Sequence, residues 1–166
     1  MAASSPLLGL AGLRREQADG SLMFLGAALR VRFVTLKPGF VLVTAHGEAL
    51  DEQDRQAELA LTTELDRELE RAGTLTVFAD LRQSPRVPAK SRDMIAQWMR
   101  RHQARLNTSH VLVHSKIMEM AMSIVAMLIG GGMIKVYSKA DVFLSLVRKV
   151  APKLTALPSV PAANTI

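Results

Sequence analysis

The sequence predicts an α/β domain with a mostly parallel sheet of five strands, an opening hairpin and four helices. Two alternating apolar segments, residues 31–36 and 40–45, flank Lys37-Pro38-Gly39, a turn sequence that predicts a β-hairpin. After this hairpin, segments with the apolar period of a helix alternate with short apolar segments, which is typical of parallel strands joined by helices. Of the 166 residues, 49% are hydrophobic, which is enough for the core of one domain.

The first helix and the central strand have clear boundaries in the sequence. Asp51 is the expected N-cap, because the acidic residues Glu52 and Asp54 follow in the first turn, where the helix dipole favours negative charge. The helix is expected to end before Gly73. The nearly continuous apolar segment 74–81 then predicts a central strand that is buried on both faces.

Three further helices and two strands complete the predicted order. Pro88 is expected to open the second helix. A strand at 110–114, a Met-rich helix at 116–129 and a strand at 134–137 follow. Ser138 then begins a sequence similar to a capping box, which predicts the start of the last helix.

The two ends of the chain lack this regular pattern. Residues 1–28 have no clear period, and we expect an N-terminal extension that the fold does not require. Residues 29–151 are then the domain, and the proline-containing residues 152–166 are expected to be a flexible C-terminal tail. Arg14 and Arg15 follow the apolar stretch instead of preceding it, which is not the pattern of a secretory signal. The sequence therefore predicts a cytoplasmic protein.

Composition and spacing disfavour several classes of function. The sequence has no cysteine, which excludes disulfides and cysteine-ligated metal centres. His110 and His114 would lie about 13 Å apart on one strand face, too far to bind one metal ion. No nucleophile elbow or glycine-rich phosphate loop is present. The sequence therefore predicts a non-enzymatic protein without a cofactor or a metal.

Charge is divided along the chain. Residues 48–70 hold nine acidic and two basic residues, a net charge of −7, whereas residues 82–116 hold eight basic and one acidic residue, a net charge of +7. Two solvated helix faces explain this division, and a basic site for an anionic partner is the alternative. Aromatic residues are only 4% of the chain and no helix-turn-helix pattern is present, so no specific nucleic-acid binding is expected.

The basic segment contains the first candidate site, the loop from residue 82 to residue 92. It follows the C-terminal end of the predicted central strand and precedes a helix N-terminus, two positions that favour anionic ligands. Its candidate binding residues are four bases and two serines: Arg82, Ser84, Arg86, Lys90, Ser91 and Arg92. A phosphate on Ser91 is expected to be stabilised by the neighbouring bases.

The Met-rich helix is the second candidate site. Met118, Met122 and Met127 lie on a helix that is apolar almost all round, apart from a narrow polar stripe. Because methionine adapts to varied partners, we expect a homodimer through the helix 117–129. A membrane surface is a less favoured cover for this helix. Simple burial in the core is the alternative explanation.

Three segments carry a family resemblance. They are Val77-Phe78-Ala79-Asp80-Leu81-Arg82, an apolar strand that contains Asp; Pro88-Ala89-Lys90-Ser91-Arg92, which leads into the helix with Trp98; and His110-Val111-Leu112-Val113-His114-Ser115, followed by the Met-rich helix and residues 135–143. Together they resemble the STAS/SpoIIAA-like superfamily, which includes the anti-anti-sigma factors, and most of all its bacterial STAS/SEC14-type branch. The resemblance covers roughly residues 30–150.

The resemblance implies a function in regulation. In anti-anti-sigma factors a partner kinase phosphorylates a serine in an Asp-Ser-Ser-Gly-type motif after the central strand. Here residues 80–91 contain Ser84 and Ser91, but neither the Asp-Ser pair nor the following glycine. The resemblance therefore implies a bacterial regulatory or protein-interaction module with a protein partner that the sequence does not identify. The alternative is a STAS/SEC14-like domain that binds a small molecule, a lipid or a membrane surface.

Overall fold

One sheet forms the centre of the fold in a computed structural model, which describes residues 14–130 and 132–160 of the chain. Within these residues the strands are β1 (Arg14–Glu16), β2 (Leu22–Leu25), β3 (Arg30–Lys37), β4 (Phe40–His46), β5 (Leu75–Gln83), β6 (Leu106–Leu112) and β7 (Ile134–Tyr137). The helices are α1 (Glu52–Ala72), α2 (Ala89–Arg101), α3 (Lys116–Gly130) and α4 (Ala140–Val150). The predicted α/β class, the hairpin and the four helices are confirmed within this part of the chain.

The strands of the described residues lie side by side in chain order, from β1 to β7. The pairs from β1 to β4 are antiparallel, and the pairs from β4 to β7 are parallel. The predicted hairpin is β3–β4, and Gly39 in its turn has a φ of 80°, a conformation that favours glycine. The predicted central strand is β5, which pairs with β4 and β6 on its two sides.

The described residues contain seven strands instead of the predicted five. The additional strands β1 and β2 come from residues 14–25, which the sequence assigned to an N-terminal extension. Met23 and Phe24 of β2 point to opposite faces of the sheet and are 2% and 0% exposed. A strand that is buried on both faces has no apolar–polar alternation, so periodicity does not detect it. Residues 1–13 of the predicted extension lie outside the described residues.

The first part of the predicted C-terminal tail also packs on the domain. Leu154 and Leu157 contact the apolar cluster beside α4, and Val160 is buried. Arg148 of α4 donates a hydrogen bond from Nε to the Leu154 carbonyl at 2.9 Å. Prolines in this segment disfavour a helix, but they do not prevent the apolar side chains between them from packing. Residues 161–166 lie outside the described residues.

The helices are divided between the two faces of the sheet. On one face α1 and α2 pack over the larger apolar cluster, which includes Phe24, Leu69 and Trp98. Helix α3 covers the same face farther along the sheet. On the opposite face α4 packs through Phe143 and Val147 over a smaller cluster. The parallel part of the sheet, from β4 to β7, is therefore covered on both faces, as parallel strands require.

A buried carboxylate holds the first turn of α1. Asp51 is the N-cap, as predicted, and its Oδ1 accepts a hydrogen bond from the Asp54 N–H at 2.9 Å. The fully buried Asp54 side chain accepts from the backbone N–H groups of Ala28, Leu29 and Leu50 at 2.8, 2.9 and 3.0 Å. It also accepts from the Asp51 N–H at 3.3 Å. Burial alone would raise the pKa of Asp54, but these hydrogen bonds outweigh burial and hold the pKa below its usual value.

Gly26 allows this carboxylate to approach the turn between β2 and β3. The Gly26 N–H donates to the Leu29 carbonyl at 2.8 Å and closes the turn. A Cβ atom at Gly26 would lie 2.2 Å from Oδ1 of Asp54, far inside van der Waals contact. Only glycine therefore fits here without a rearrangement, and the start of α1 is fixed to a turn between two strands.

The other end of α1 is attached to the opposite end of the hairpin. Glu68 is buried and accepts a hydrogen bond from the Gly39 N–H at 2.8 Å. The helix ends at Gly73, as predicted, and its N–H donates to the Leu69 carbonyl at 2.8 Å. Arg105 donates to the carbonyls of Gly73 and Leu69 at 3.0 and 2.7 Å. Both ends of α1 are thus fixed to the sheet.

The last helix begins differently from the prediction. Its N-cap is Lys139, which makes no side-chain capping hydrogen bond. The hydroxyl of Ser138, the predicted start, donates instead to the carboxylate of Glu119 on α3. A local sequence pattern does not reveal an acceptor that lies 19 residues away along the chain.

Replacing Asp54 by Asn should lower the free energy of unfolding by about 2–4 kcal/mol, because the new amide N–H₂ group faces backbone donors and leaves some of them unpaired in the interior. Chemical denaturation measures this change. Glu52→Gln in the same turn is the matched control, and we expect it to change stability by less than about 1 kcal/mol because Glu52 lies at the surface.

The loss of stability at acidic pH should reveal the contribution of the Asp54 carboxylate. The folded pKa of Asp54 lies below the unfolded value, so its stabilising contribution is present at neutral pH and is lost as the pH falls through the folded pKa. The wild type should therefore lose stability more steeply below about pH 4 than Asp54→Asn does. Parallel stability curves for the two proteins would contradict this assignment.

Replacing Phe24 by Ala should lower the free energy of unfolding by about 3–5 kcal/mol, because it removes a fully buried ring from the larger apolar cluster. Thermal unfolding followed by circular dichroism measures the effect. Glu16→Ala in the exposed strand β1 is the control and should have little effect. An unchanged midpoint for Phe24→Ala would mean that β2 is dispensable, as the sequence had suggested for this segment.

Candidate functional site

A cavity of about 210 Å³ lies between the sheet and helices α1, α2 and α3. Its floor consists of apolar side chains from four adjacent strands: Val31, Val43, Val77 and Val111. Its roof includes Leu65 of α1, Trp98 of α2 and Val125 of α3. Cavities with a mostly apolar lining accept apolar molecules. The cavity is thus the principal candidate for a ligand site within the described residues.

Small side chains on the strands leave this space open. Ala79 on the central strand lines the cavity and lies between Val43 and Val111 of the neighbouring strands. Ala45 and Ser109 also line the cavity, from β4 and β6. Larger residues at these positions would fill the gap between sheet and helices, since protein interiors are otherwise closely packed. The cavity was not predicted from the sequence, in which these small residues are the available signal.

Helix α3 has two apolar faces with different surroundings. Its inner face lines the cavity through Met122, Val125 and Ala126. Its outer face carries a stripe of large apolar side chains, which we call the α3 stripe and which are 81%, 62%, 62% and 76% exposed: Ile117, Met120, Ile124 and Met127. Their spacing of three and four residues places them along one side of the helix.

The three candidate methionines are therefore separated by the structure. Met127 belongs to the α3 stripe, Met122 lines the cavity, and Met118 is half-buried near the start of the helix. The helix is neither buried on all sides nor a simple surface helix. None of the helices in the described residues has both the length and the hydropathy to cross a bilayer.

Polar contacts fix the first turns of α3. The Met118 N–H donates to the Ser115 hydroxyl at 3.2 Å. Glu119 accepts hydrogen bonds from Lys116, at 2.6 Å, and from Ser138, and these two bonds hold the pKa of its carboxyl below the usual value. The narrow polar stripe that the sequence suggested on this helix thus serves to attach α3 to the start of α4.

Two of the four candidate bases in the 82–92 segment are bound to carboxylates of the chain itself. Arg82 lies on β5, and its Nε and Nη2 donate to the buried Asp80 carboxylate at 2.9 and 2.8 Å. Arg86 donates to Glu48 at 2.7 Å. These hydrogen bonds raise the pKa of both guanidinium groups. The structure therefore does not bring four unpaired bases together around the two serines.

The other two bases are exposed. Lys90 and Arg92 make no ion pair with another residue of the described part of the chain. Arg92 lines the cavity, whereas Lys90 does not. Among the described residues of the lining, Arg92 is therefore the one unpaired cation, since Arg86 is neutralised by Glu48. The carboxyl of Glu58 also lines the cavity and makes no ion pair within the described residues.

The two candidate serines are buried. Ser84 and Ser91 are 4% and 2% exposed. Glu58 of α1 lies beside the Ser91 hydroxyl, and burial raises the pKa of its carboxyl despite this polar neighbour. A phosphate on Ser91 would be placed beside an acidic group, which differs from the stabilised phosphate that the sequence suggested.

The histidines and acidic residues do not form a recognisable metal centre. In the part of the chain that the structure describes, no three His, Asp or Glu side chains come together as metal ligands. His110 stacks on Phe78 at a ring-centroid distance of 4.9 Å and contacts the Tyr137 hydroxyl through Nδ1 at 3.0 Å. Burial and the charge of Lys135 lower the pKa of His110.

Comparisons with known proteins identify the fold. No protein-family model and no curated protein sequence matches the chain. A DUF3478-family protein with a SpoIIAA-like fold from Shewanella loihica PV-4 is 13% identical, with a TM-score of 0.54 over 72% of this chain and 93% of that chain. This chain therefore has the SpoIIAA-like fold, and the resemblance to the STAS/SpoIIAA-like superfamily is confirmed at the level of fold. An anti-sigma factor antagonist from Mycobacterium paratuberculosis is 15% identical, with a TM-score of 0.48 over 75% of this chain and 99% of that chain.

Replacing Ser91 by Asp should lower the free energy of unfolding by about 3 kcal/mol, because it places a second carboxylate beside Glu58 in a buried position. Chemical denaturation measures the change. Ser145→Asp, on the exposed side of α4, is the matched control and should be nearly neutral. Equal effects of the two substitutions would show that Ser91 is accessible to water and suited to carry a phosphate.

Proposed function

We propose that this protein is a non-enzymatic STAS-like interaction module that acts in bacterial regulation. The observation that carries the proposal is the α3 stripe, whose four large apolar side chains are each more than half exposed. Soluble monomers seldom expose contiguous apolar patches, and such patches mark interaction surfaces. Methionine at two of the four positions suits a surface that adapts to its partner. The absence of a catalytic pattern in the sequence supports a binding function.

The partner that we propose for this surface is a second copy of the chain. An interface about a two-fold axis brings the same patch of each copy into contact, so an apolar stripe meets another of equal length. The four side chains of the stripe are uncharged, and the charges of Lys116 and Glu119 at one end are already paired with each other. A contact between two such stripes therefore buries no unpaired charge.

The expected dimer is weak. The α3 stripe spans roughly 15 Å of helix, given a rise of about 1.5 Å per residue. Four side chains over this length cover less than the roughly 800 Å² per partner of a standard interface. Association in the micromolar range is therefore expected, so that dimer and monomer exchange as concentration changes. Such exchange suits a regulatory module that releases itself to bind another protein.

Replacing Met127 by Glu should abolish self-association, because it places an unpaired charge within a short apolar contact. Analytical ultracentrifugation at about 10–200 μM, a range chosen for micromolar affinities, should show a dimerising wild type and a monomeric variant. Val142→Glu is the matched control: Val142 is an exposed apolar residue on α4, which covers the opposite face of the sheet, and this variant should still dimerise.

A wild type that stays monomeric over this range would contradict the proposed dimer. Binding of the monomer to anionic lipid vesicles, lost in Met127→Glu and kept in Val142→Glu, would then assign the α3 stripe to a membrane surface. Retention of the dimer in Met127→Glu would place the interface elsewhere.

A further inference from the structure

The geometry points to a binding site for a small amphiphilic carboxylate, with its apolar body in the cavity between the sheet and α1–α3 and its carboxylate at Arg92. This site is separate from the α3 stripe, which lies on the outside of the same helix. The size of the cavity, the chemistry of its wall and the charges at its edge together define the ligand.

The size of the cavity sets the class of ligand. A cavity of about 150 Å³ holds a benzene molecule, so the 210 Å³ found here accepts a larger apolar body of about ten non-hydrogen atoms. A lipid with two long acyl chains is several times too large. Most of the wall is formed by aliphatic side chains, methionines and Trp98, and its uncharged polar residues are Thr62, Ser84 and Ser109. The wall therefore selects a flexible or ring-shaped hydrocarbon body by shape and size.

The charges at the edge set the head group. Glu48 and Arg86 both line the cavity and neutralise each other at 2.7 Å. Arg92 also lines the cavity, and it makes no ion pair within the described residues. An arginine side chain presents a planar set of N–H donors that matches a carboxylate. Glu58 of α1 is the other charged residue of the lining without an ion pair among the described residues, and burial raises the pKa of its carboxyl, which disfavours the charged form. An amphiphile with a negative head group therefore pairs with Arg92.

Trp98 provides a direct reporter of occupancy. It is the only tryptophan of the sequence, it lines the cavity, and its Nε1 donates to Asp66 at 2.7 Å. A hydrocarbon that enters the cavity changes the surroundings of the indole ring without reaching this hydrogen bond on α1. Tryptophan fluorescence therefore measures binding in the intact chain with no added label.

The experiment is a fluorescence titration with decanoate, octanoate and decanol. Decanoate should give a saturable change with one molecule bound per chain, and octanoate should bind more weakly by about fourfold for each methylene removed. Arg92→Gln should weaken decanoate binding about three- to tenfold and leave decanol unaffected. Lys90→Gln removes a neighbouring charge that does not line the cavity, and it is the matched control with unchanged binding.

Two further variants separate the cavity from the surface of α3. Ala79→Leu and Ser109→Leu fill the cavity from two different strands, and each should abolish decanoate binding while thermal unfolding confirms a folded protein. Met127→Glu should leave decanoate binding unchanged, since Met127 lies on the outer face. The proposed dimer and the proposed cavity site can therefore be contradicted independently of each other.

Three results would overturn the inference. The first is a wild type with no saturable fluorescence change. The second is decanoate binding that persists in a folded, cavity-filled variant, which would place the ligand on an outer surface. The third is an Arg92→Gln variant that binds decanoate and decanol more weakly by the same factor, which would show that Arg92 does not recognise the carboxylate.

Discussion

The rest of this structure depends on the attachment of α1 to the sheet by two buried carboxylates. Asp54 accepts hydrogen bonds from the turn between β2 and β3, and Glu68 accepts one from the turn between β3 and β4. A carboxylate with several backbone donors is stabilised in its charged form even when it is buried. These bonds fix the height and direction of α1 above the sheet, and α1 in turn provides the support against which Trp98 of α2 is oriented.

The half of the domain that α1 fixes by hydrogen bonds contrasts with the half that carries the candidate sites. Beyond α1 the inward positions of the central strands are small, as at Ala79, and the helices do not close down on them. In its first turns, helix α3 is attached to the start of α4 by the hydrogen bond that Ser138 donates to Glu119. Its remaining length separates a cavity on one side from the α3 stripe on the other. One helix, α3, therefore forms a wall of the cavity on its inner side and carries the α3 stripe on its outer side.

Much of the fold was accessible from the sequence, because its signals are local. The hairpin turn, the Asp51 N-cap, the Gly73 stop and the Met-rich helix each depend on residues a few positions apart. The predictions that differed depend on distant residues. Strand β2 is recognisable only from what covers both its faces, and Ser138 has its acceptor on another helix.

The basic segment 82–92 shows the same limit of local sequence patterns. Its charge was visible in the sequence, but the neutralisation of Arg86 by Glu48 was not. The cavity was not predicted because it results from small side chains at inward positions. The period of apolar residues in a sequence shows which positions face the core, but it does not show whether their side chains fill the space.

The order of the strands also has a consequence for how the chain folds. Because the strands of the described residues lie in chain order, each new strand pairs with an edge that the preceding strand has already formed. No strand has to be inserted between two others, and the sequence distance between paired strands stays short, which favours rapid folding. During synthesis from the N-terminus, the hairpin and α1 emerge before α3 and β7. The wall shared by the cavity and the α3 stripe thus emerges after the hairpin and the helix that attaches to both ends of it.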